Sequence, residues 1–316
     1  MTVDTDTKTD NVDTVEAGRA PRPRRTTLPY VLVLPAIAAL VLALGYPLVR
    51  QVVLSFQDFG LAQQFGRPPE WVGLQNYRDL ITDPYLWTVT VRSLIFCLVN
   101  AAATMAVGVS LALLMQHMSK PIRILLQSGL LIAWAMPVVA ALTVWEWLFD
   151  TQYGVINYVL TKIGLDYAGH SWLLEPLSFF FVATVIVVWM SVPFVAFTVY
   201  AALTQIAEDM VEAAEIDGAS GWQRLRHIVL PSIRPVLLVV ILLQVIWDLR
   251  VFTQIYILQK AGGNTHDTNL LGTYIYRLGI GSGKFGLAAA VAMFMLVLTV
   301  VLTSPYVRAM LKQEEN

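Results

Sequence analysis

The chain has 316 residues, of which 57% are hydrophobic and only 14% are charged, against about 25% in typical soluble domains. A soluble protein of this size could not bury so much apolar surface, and a disordered chain would not contain it. The net charge of −1 offers no basic field to nucleic acid, and the single cysteine, Cys97, excludes an intramolecular disulfide framework. The composition therefore indicates a polytopic membrane protein in contact with lipid. The apolar runs are continuous and do not alternate with polar residues, so the expected fold class is all-α.

The N-terminal segment, residues 1–27, is polar. It is rich in Asp and Thr at first and then carries four arginines within seven residues. This composition is typical of a disordered tail whose arginines hold it in the cytoplasm.

Six apolar stretches follow the tail, and each is about as long as the roughly 20 helical residues that cross a bilayer. They predict a transmembrane domain over residues 28–311 and a short cytoplasmic C-terminal tail over residues 312–316. The predicted spans cover residues 28–49, 90–115, 124–147, 178–203, 235–258 and 286–307.

The basic residues indicate the orientation of these spans. With a cytoplasmic N-terminus, 12 of the 21 Lys and Arg residues lie in cytoplasmic segments, eight lie outside, and Arg250 lies within a span. This excess agrees with the positive-inside rule. We therefore expect both termini in the cytoplasm.

The cytoplasmic loop between the fourth and fifth spans, residues 208–231, contains two short helical patterns around a break. Gly218 is suited to turn the chain, because glycine adopts left-handed geometry readily. Ser220 and Gln223 form a predicted capping box at the start of the second helix. Pro231 is expected to end that helix at the residue before it. On these grounds alone, the loop could be a solvated helical hairpin.

The spacing in this loop matches the pattern EAA-x3-G-x9-I-x-L-P at every specified position. The chain thereby resembles the permease subunits of binding-protein-dependent ABC importers. The matching residues are Glu212, Ala213, Ala214, Gly218, Ile228, Leu230 and Pro231.

Shorter motifs elsewhere are similar to the carbohydrate branch of that family, the maltose/trehalose-type permeases. They include YVLVLP at residues 30–35 and VGLQNY at residues 72–77. One departure follows the fifth span, where QKAGGN at residues 259–264 replaces the TGGGP that is common in the family.

The resemblance implies an ABC importer type I permease fold in a bacterial inner or plasma membrane. It implies a passive subunit that has no catalytic residues and no cofactor of its own. The implied substrate of the importer is a di- or oligosaccharide. The implied partners are a second permease subunit in a heterodimer, an ATPase dimer that binds ATP and Mg²⁺, and an extracytoplasmic sugar-binding protein. Glu212 would pair with a basic ATPase residue, Gly218 would bend the loop, and Ile228 and Leu230 would anchor it.

The fifth span carries two charges, Asp248 and Arg250, and an ionisable group inside a membrane is a functional hypothesis by default. Helical periodicity predicts two faces that could contact a sugar. One face holds Gln244, Asp248 and Phe252, and the other holds Trp247, Arg250 and Gln254. The alternative is structural, with Asp248 or Arg250 contacting another helix or the second permease.

Two other classes of protein remain as alternatives. A self-sufficient secondary transporter would need internal inverted repeats, and no convincing repeat is visible. A membrane enzyme would need clustered catalytic groups near one membrane face. The chain has no Walker A motif, because Gly283-Lys284 is followed by Phe285, and its four histidines lack the spacing of a metal site.

Overall fold

A computed structural model describes residues 28–314 of the protein. Its described residues form two units, one ending at Val49 and the other beginning at Arg50. The first unit contains helix α1 (Leu28–Leu40), a π-helical turn (Val41–Gly45) and the start of α2 (Tyr46–Ser55). The tail predicted for residues 1–27 lies outside the described residues.

The second unit is mostly helical and carries one short β-hairpin. Its strands are β1 (Gln57–Asp58) and β2 (Glu70–Trp71), which pair antiparallel. Its further helices are α3 (Leu61–Gln64), α4 (Gln75–Thr82), α5 (Pro84–His117), α6 (Lys120–Ala135), α7 (Val138–Leu148), α8 (Val155–Lys162), α9 (Pro176–Leu203), α10 (Glu208–Ile216), α11 (Gly221–Arg224), α12 (Leu230–Ser232), α13 (Arg234–Leu249), α14 (Thr253–Ala261), α15 (Thr265–Thr268), α16 (Leu271–Tyr276) and α17 (Phe285–Glu314).

Five helical segments are long and apolar enough to cross a membrane, and one bent helix pair makes a sixth. The five are Leu32–Ser55, Pro84–His117, Pro176–Leu203, Arg234–Ala261 and Phe285–Leu311. The prediction of an all-α, polytopic membrane protein is confirmed. At the C-terminus α17 continues to Glu314, so the predicted boundary at residue 311 is not the end of a helix.

The third predicted span is not one straight helix. Helices α6 and α7 meet at an angle of 103°. Pro137 lies between them and has no N–H to donate, and Met136 before it is extended, with ψ of 130°. A proline disfavours helical geometry in the preceding residue, which accounts for the break.

The fifth predicted span is also broken, although it contains no proline or glycine at the break. Helix α13 ends at Leu249, and α14 begins at Thr253 after Phe252 leaves helical geometry, with φ of −130°. The first turn of α16 approaches this break closely. A Cβ on Gly272 would lie only 3.0 Å from the Val251 carbonyl oxygen, so a glycine is needed there.

The core of the second unit forms where α5 packs along α9, and α13 packs against both α5 and α17. Fully buried side chains on α9 include Phe179 and Ile186, and Leu86 and Met115 are buried near the two ends of α5. Burial of such side chains against neighbouring helices fixes the positions of α9 and α13, which carry the candidate site.

Helix α16 and the N-cap of α5 are joined by a polar contact outside the membrane spans. The hydroxyl of Tyr274 donates to Asp83 Oδ2 at 3.2 Å. Burial, together with the nearby Asp83 carboxylate, raises the pKa of Tyr274 to about 12. The phenol therefore keeps its proton over the physiological range and remains a donor.

Asn157 holds the segment between α7 and α9 together. It is buried, and its Nδ2 donates to the carbonyl oxygen of His170 at 2.9 Å and to that of Thr151 at 3.2 Å. Its Oδ1 accepts a hydrogen bond of 2.6 Å from Trp172 Nε1. One side chain thus satisfies three groups from separate parts of the segment.

We expect Asn157→Ala to lower the free energy of unfolding by roughly 1–3 kcal/mol, because it leaves a buried indole N–H without its acceptor. The measurement is the thermal unfolding of the purified protein in detergent. Thr161→Val is the matched control. Its hydroxyl bonds to the carbonyl oxygen of Asn157 but is exposed, so its effect should stay within about 0.5 kcal/mol. Equal losses in both variants would contradict the role given to Asn157.

Candidate functional site: the EAA hairpin and a cavity between two helix breaks

The EAA hairpin, defined here as residues 208–232, begins with α10 and turns at Gly218. The N–H of Gly218 donates to the Glu215 carbonyl at 3.0 Å, and the N–H of Ala219 donates to the Ala214 carbonyl at 2.9 Å. This pair of bonds is a Schellman motif with Gly218, at φ of +80°, in the left-handed position. The glycine of the pattern therefore has a defined backbone role.

The second half of the hairpin begins with a capping box. Ser220 Oγ accepts from the N–H of Gln223, and Gln223 Oε1 accepts from the N–H of Ser220 at 2.7 Å. An ion pair of 2.8 Å between Arg224 and Glu215 joins the two halves. Both features hold α10 and α11 in a fixed relation across the turn.

The expectation that Pro231 ends the helical run at Leu230 is wrong. A π-helical turn over Leu225–Val229 precedes the proline, and helix α12 continues through it to Ser232. In the wider π-helical turn the N–H of Leu230 donates to the Leu225 carbonyl. This local change of helical pitch gives the proline ring room where an α-helical carbonyl would clash.

The seven residues of the EAA pattern do not share one environment. Glu212, Ala213, Gly218 and Pro231 are exposed, and Ala214 and Ile228 are half-buried. Leu230 is half-buried and packs on a buried cluster formed by the ends of α5 and α9 and the start of α13. The hairpin is thus attached to the membrane helices through Leu230 and Val229, while Glu212, Ala213 and Gly218 of the pattern stay exposed.

The hairpin also exposes large apolar side chains that the sequence analysis did not single out. Ile216 is 86% exposed, Trp222 is 67% exposed and Met210 is 49% exposed. Their position next to the matched pattern is the signal that could have identified them. Exposed apolar side chains of this size make the hairpin a candidate for an interaction surface.

A cavity of about 680 Å³ lies between the hairpin and the ends of α5 and α9. Glu208, Glu212 and Arg224 line it from the hairpin side, and His117 and Tyr200 line it from the helix side. Glu212 is thus exposed on the hairpin, and it also lines the cavity between the hairpin and the membrane helices.

A second cavity, of about 390 Å³, lies where the two broken helices meet. The α6–α7 break contributes Met136, the α13–α14 break contributes Arg250 and Phe252, and α9 contributes Ser191. Irregular backbone inside a membrane is tolerated where it is buried in protein or lines a cavity. This arrangement places polar and aromatic side chains around one space within the membrane region.

Five of the six residues predicted for a substrate path line this second cavity: Trp247, Asp248, Arg250, Phe252 and Gln254. The sixth, Gln244, does not line it and is fully buried. The prediction of two opposite faces is wrong, because it assumes a continuous helix. Asp248 and Phe252, which were predicted for the other face, line the same cavity as Trp247, Arg250 and Gln254.

Aromatic rings surround the α13–α14 break. The ring of Trp247 packs against that of Phe194, with centroids 5.0 Å apart. Phe252 stacks on Tyr256 with centroids 5.3 Å apart, and the Tyr256 and Tyr276 hydroxyls lie 3.3 Å from each other. Trp134 and Ser191 also line the cavity, and no charge or spacing signal in the sequence marks them.

Comparison with known proteins identifies relatives over nearly the whole length. The chain is 45% identical over 289 residues to the diacetylchitobiose uptake system permease protein DasB of Streptomyces coelicolor, covering 91% of this chain and 88% of that protein. It is 32% identical over 289 residues to the trehalose/maltose transport system permease protein MalF of Thermococcus litoralis, covering 90% and 94%.

The fold is shared with a solved structure of a bacterial ABC transporter involved in the import of the acidic polysaccharide alginate. The TM-score is 0.76 at 23% identity, and the match covers 90% of this chain and 95% of that one. Residues 104–307 match the family described as binding-protein-dependent transport system inner membrane component. The chain therefore belongs to this family and is one of its membrane-spanning permease subunits.

Proposed function

We propose that the chain forms half of the translocation pathway of an ATP-driven importer for a di- or oligosaccharide. The strongest support is the cavity between the two helix breaks, which combines the guanidinium of Arg250 and the amide of Gln254 with aromatic rings. Planar polar groups and aromatic platforms are the side chains that suit a sugar. The relatives named for diacetylchitobiose and trehalose/maltose support the same substrate class.

The proposed assembly contains a second, different permease subunit, an ATPase dimer and an extracytoplasmic sugar-binding protein. ATP and Mg²⁺ bind to the ATPase dimer, and the EAA hairpin docks on it. Support for the docking surface comes from the exposed Glu212 and from the exposed apolar side chains of Ile216 and Trp222. The excess of basic residues predicts that the hairpin and both termini face the cytoplasm.

Broken helices around a cavity also occur in secondary transporters, so the two mechanisms need a direct test. We expect vesicles that contain only this chain to show no sugar uptake, with or without ATP, because the chain has no Walker A motif and carries a docking hairpin instead. Vesicles that also contain the partner permease and the ATPase, supplied with the binding protein, should take up sugar. Uptake by the single purified chain would support the secondary transporter.

The turn at Gly218 provides a test of the docking hairpin. A Cβ at Gly218 would meet no atom within 4 Å, so Gly218→Ala introduces no clash and only disfavours the left-handed backbone, by about 1–2 kcal/mol. We expect weaker co-purification of the ATPase and less ATP hydrolysis on addition of the binding protein, with membrane insertion unchanged.

Gly221→Ala is the matched control for this experiment. Gly221 lies three residues away at the start of α11, also meets no atom within 4 Å, and has no positive φ. Its substitution should leave docking and hydrolysis as in the wild type. Wild-type docking in the Gly218→Ala protein would mean that the turn is only a solvated linker.

The cavity between the breaks is tested through Arg250. Its side chain is exposed to the cavity, so we expect Arg250→Ala to reduce sugar uptake while complex recovery stays normal. Arg67→Ala removes an exposed arginine far along the chain from the breaks and serves as the control, with uptake unchanged. If Arg250→Ala lowers complex recovery in proportion to uptake, the residue holds the assembly together and does not line the substrate path.

A further inference from the structure

Gln244 and Asp248 form an isolated polar pair on α13. They are 0% and 2% exposed, and Gln244 Nε2 donates to Asp248 Oδ1 at 2.9 Å. Among the ion pairs of residues 28–314, none includes Asp248, and Arg250 two positions further on is exposed. The carboxyl group therefore lies in an apolar helix without a cationic partner from the described chain.

The pair itself is short of hydrogen-bond donors. Asp248 Oδ2 and Gln244 Oε1 are both buried and have no hydrogen-bond partner within the described residues. Both are acceptors, and the Gln244 amide is the only group among the described residues that donates to the carboxyl group. Buried polar groups of native proteins are normally satisfied, so a surplus of acceptors indicates that a donor is missing.

One proton supplies that donor. A carboxylic acid has one O–H donor and keeps its second oxygen as an acceptor. The amide N–H already donates to Oδ1. A proton on Oδ2 would turn that oxygen into a donor, which is what the unpartnered amide oxygen of Gln244 needs. The same proton removes the charge, and buried charges without partners are normally neutralised in this way.

We propose that Asp248 carries a proton on Oδ2 and that this O–H donates a hydrogen bond to Gln244 Oε1, so that the two side chains form a closed, neutral acid–amide pair. The pair occupies the last two turns of α13, and Asp248 lies in the turn immediately before the break. The Asp248 carbonyl accepts the N–H of Val251 at 3.4 Å within the break itself. Asp248 thus borders the break that lines the cavity, and its role is that of a positioning residue.

The surroundings supply no competing base. From α5, Cys97 faces α13, with Sγ 3.6 Å from the Val245 carbonyl oxygen. From α16, Tyr274 packs in the same cluster as Val245 and Leu249 and bonds to Asp83. The residues that α17 adds to this cluster, Val291 and Met295, are apolar. On the cavity side, Asp248 shares the lining with Ser191 and Arg250, but no hydrogen bond or ion pair among the described residues joins it to either. The Gln244 amide is therefore its direct partner.

The test is the infrared spectrum of the full-length protein in lipid vesicles at neutral pH. The difference between wild type and Asp248→Asn should show the loss of one C=O stretching band of a protonated carboxylic acid. Glu70→Gln is the control, because Glu70 is 67% exposed at its side chain and should contribute only carboxylate bands. Loss of carboxylate bands in Asp248→Asn, with no acid band in the wild type, would overturn the proposal.

Stability provides a second, independent measurement. Asparagine at position 248 can donate to Gln244 Oε1 and accept from Nε2, as the protonated acid does. We expect Asp248→Asn to keep the wild-type melting temperature and Asp248→Leu, of similar size but without polar atoms, to lower it by several degrees. A melting temperature for Asp248→Asn as low as that of Asp248→Leu would show that the ionised carboxylate is required, and the proposal would fail.

Discussion

The hydrocarbon core of a bilayer offers no hydrogen bonds to a peptide backbone, and this constraint orders the whole molecule. Every segment that crosses it must be helical, or must break only where protein or a cavity accepts the freed groups. The two breaks in the second unit, at Met136-Pro137 and at Arg250–Phe252, both border the same cavity. The non-helical backbone of these two spans, which is unfavourable in contact with lipid, thus lies at the cavity between the breaks.

The helical spans can be predicted because a continuous apolar stretch of about 20 residues satisfies its backbone hydrogen bonds in a membrane by forming an α-helix. The bend between α6 and α7 also had a signal, since Pro137 lies within the predicted third span. The break after Leu249 has no such local signal. The close approach of Gly272 to Val251 marks it, and that contact joins residues that are 21 positions apart in the chain. A tertiary contact of this kind cannot be inferred from periodicity.

The candidate site likewise combines features that the sequence predicts with features that depend on tertiary packing. The turn at Gly218 and the capping box of Ser220 and Gln223 are local, and both were expected from residue types alone. The burial of Gln244 and the grouping of Trp247 with Phe252 depend on where α13 ends. These features therefore could not be predicted from residue types alone. Trp134 and Ser191 reach the cavity from two further helices, and only the packing of α6 and α9 brings them there.

Helix α13 has a consequence as a mechanical element. It has 16 residues and is therefore a rod of about 24 Å, with the EAA hairpin at one end and the cavity break at the other. Because an α-helix resists bending without a kink, a tilt of about 10° imposed at the hairpin would displace the far end by roughly 4 Å, a distance comparable to the width of a sugar ring. Such a tilt would therefore move the end of α13 that borders the cavity, whereas α14 begins only after the break, at Thr253.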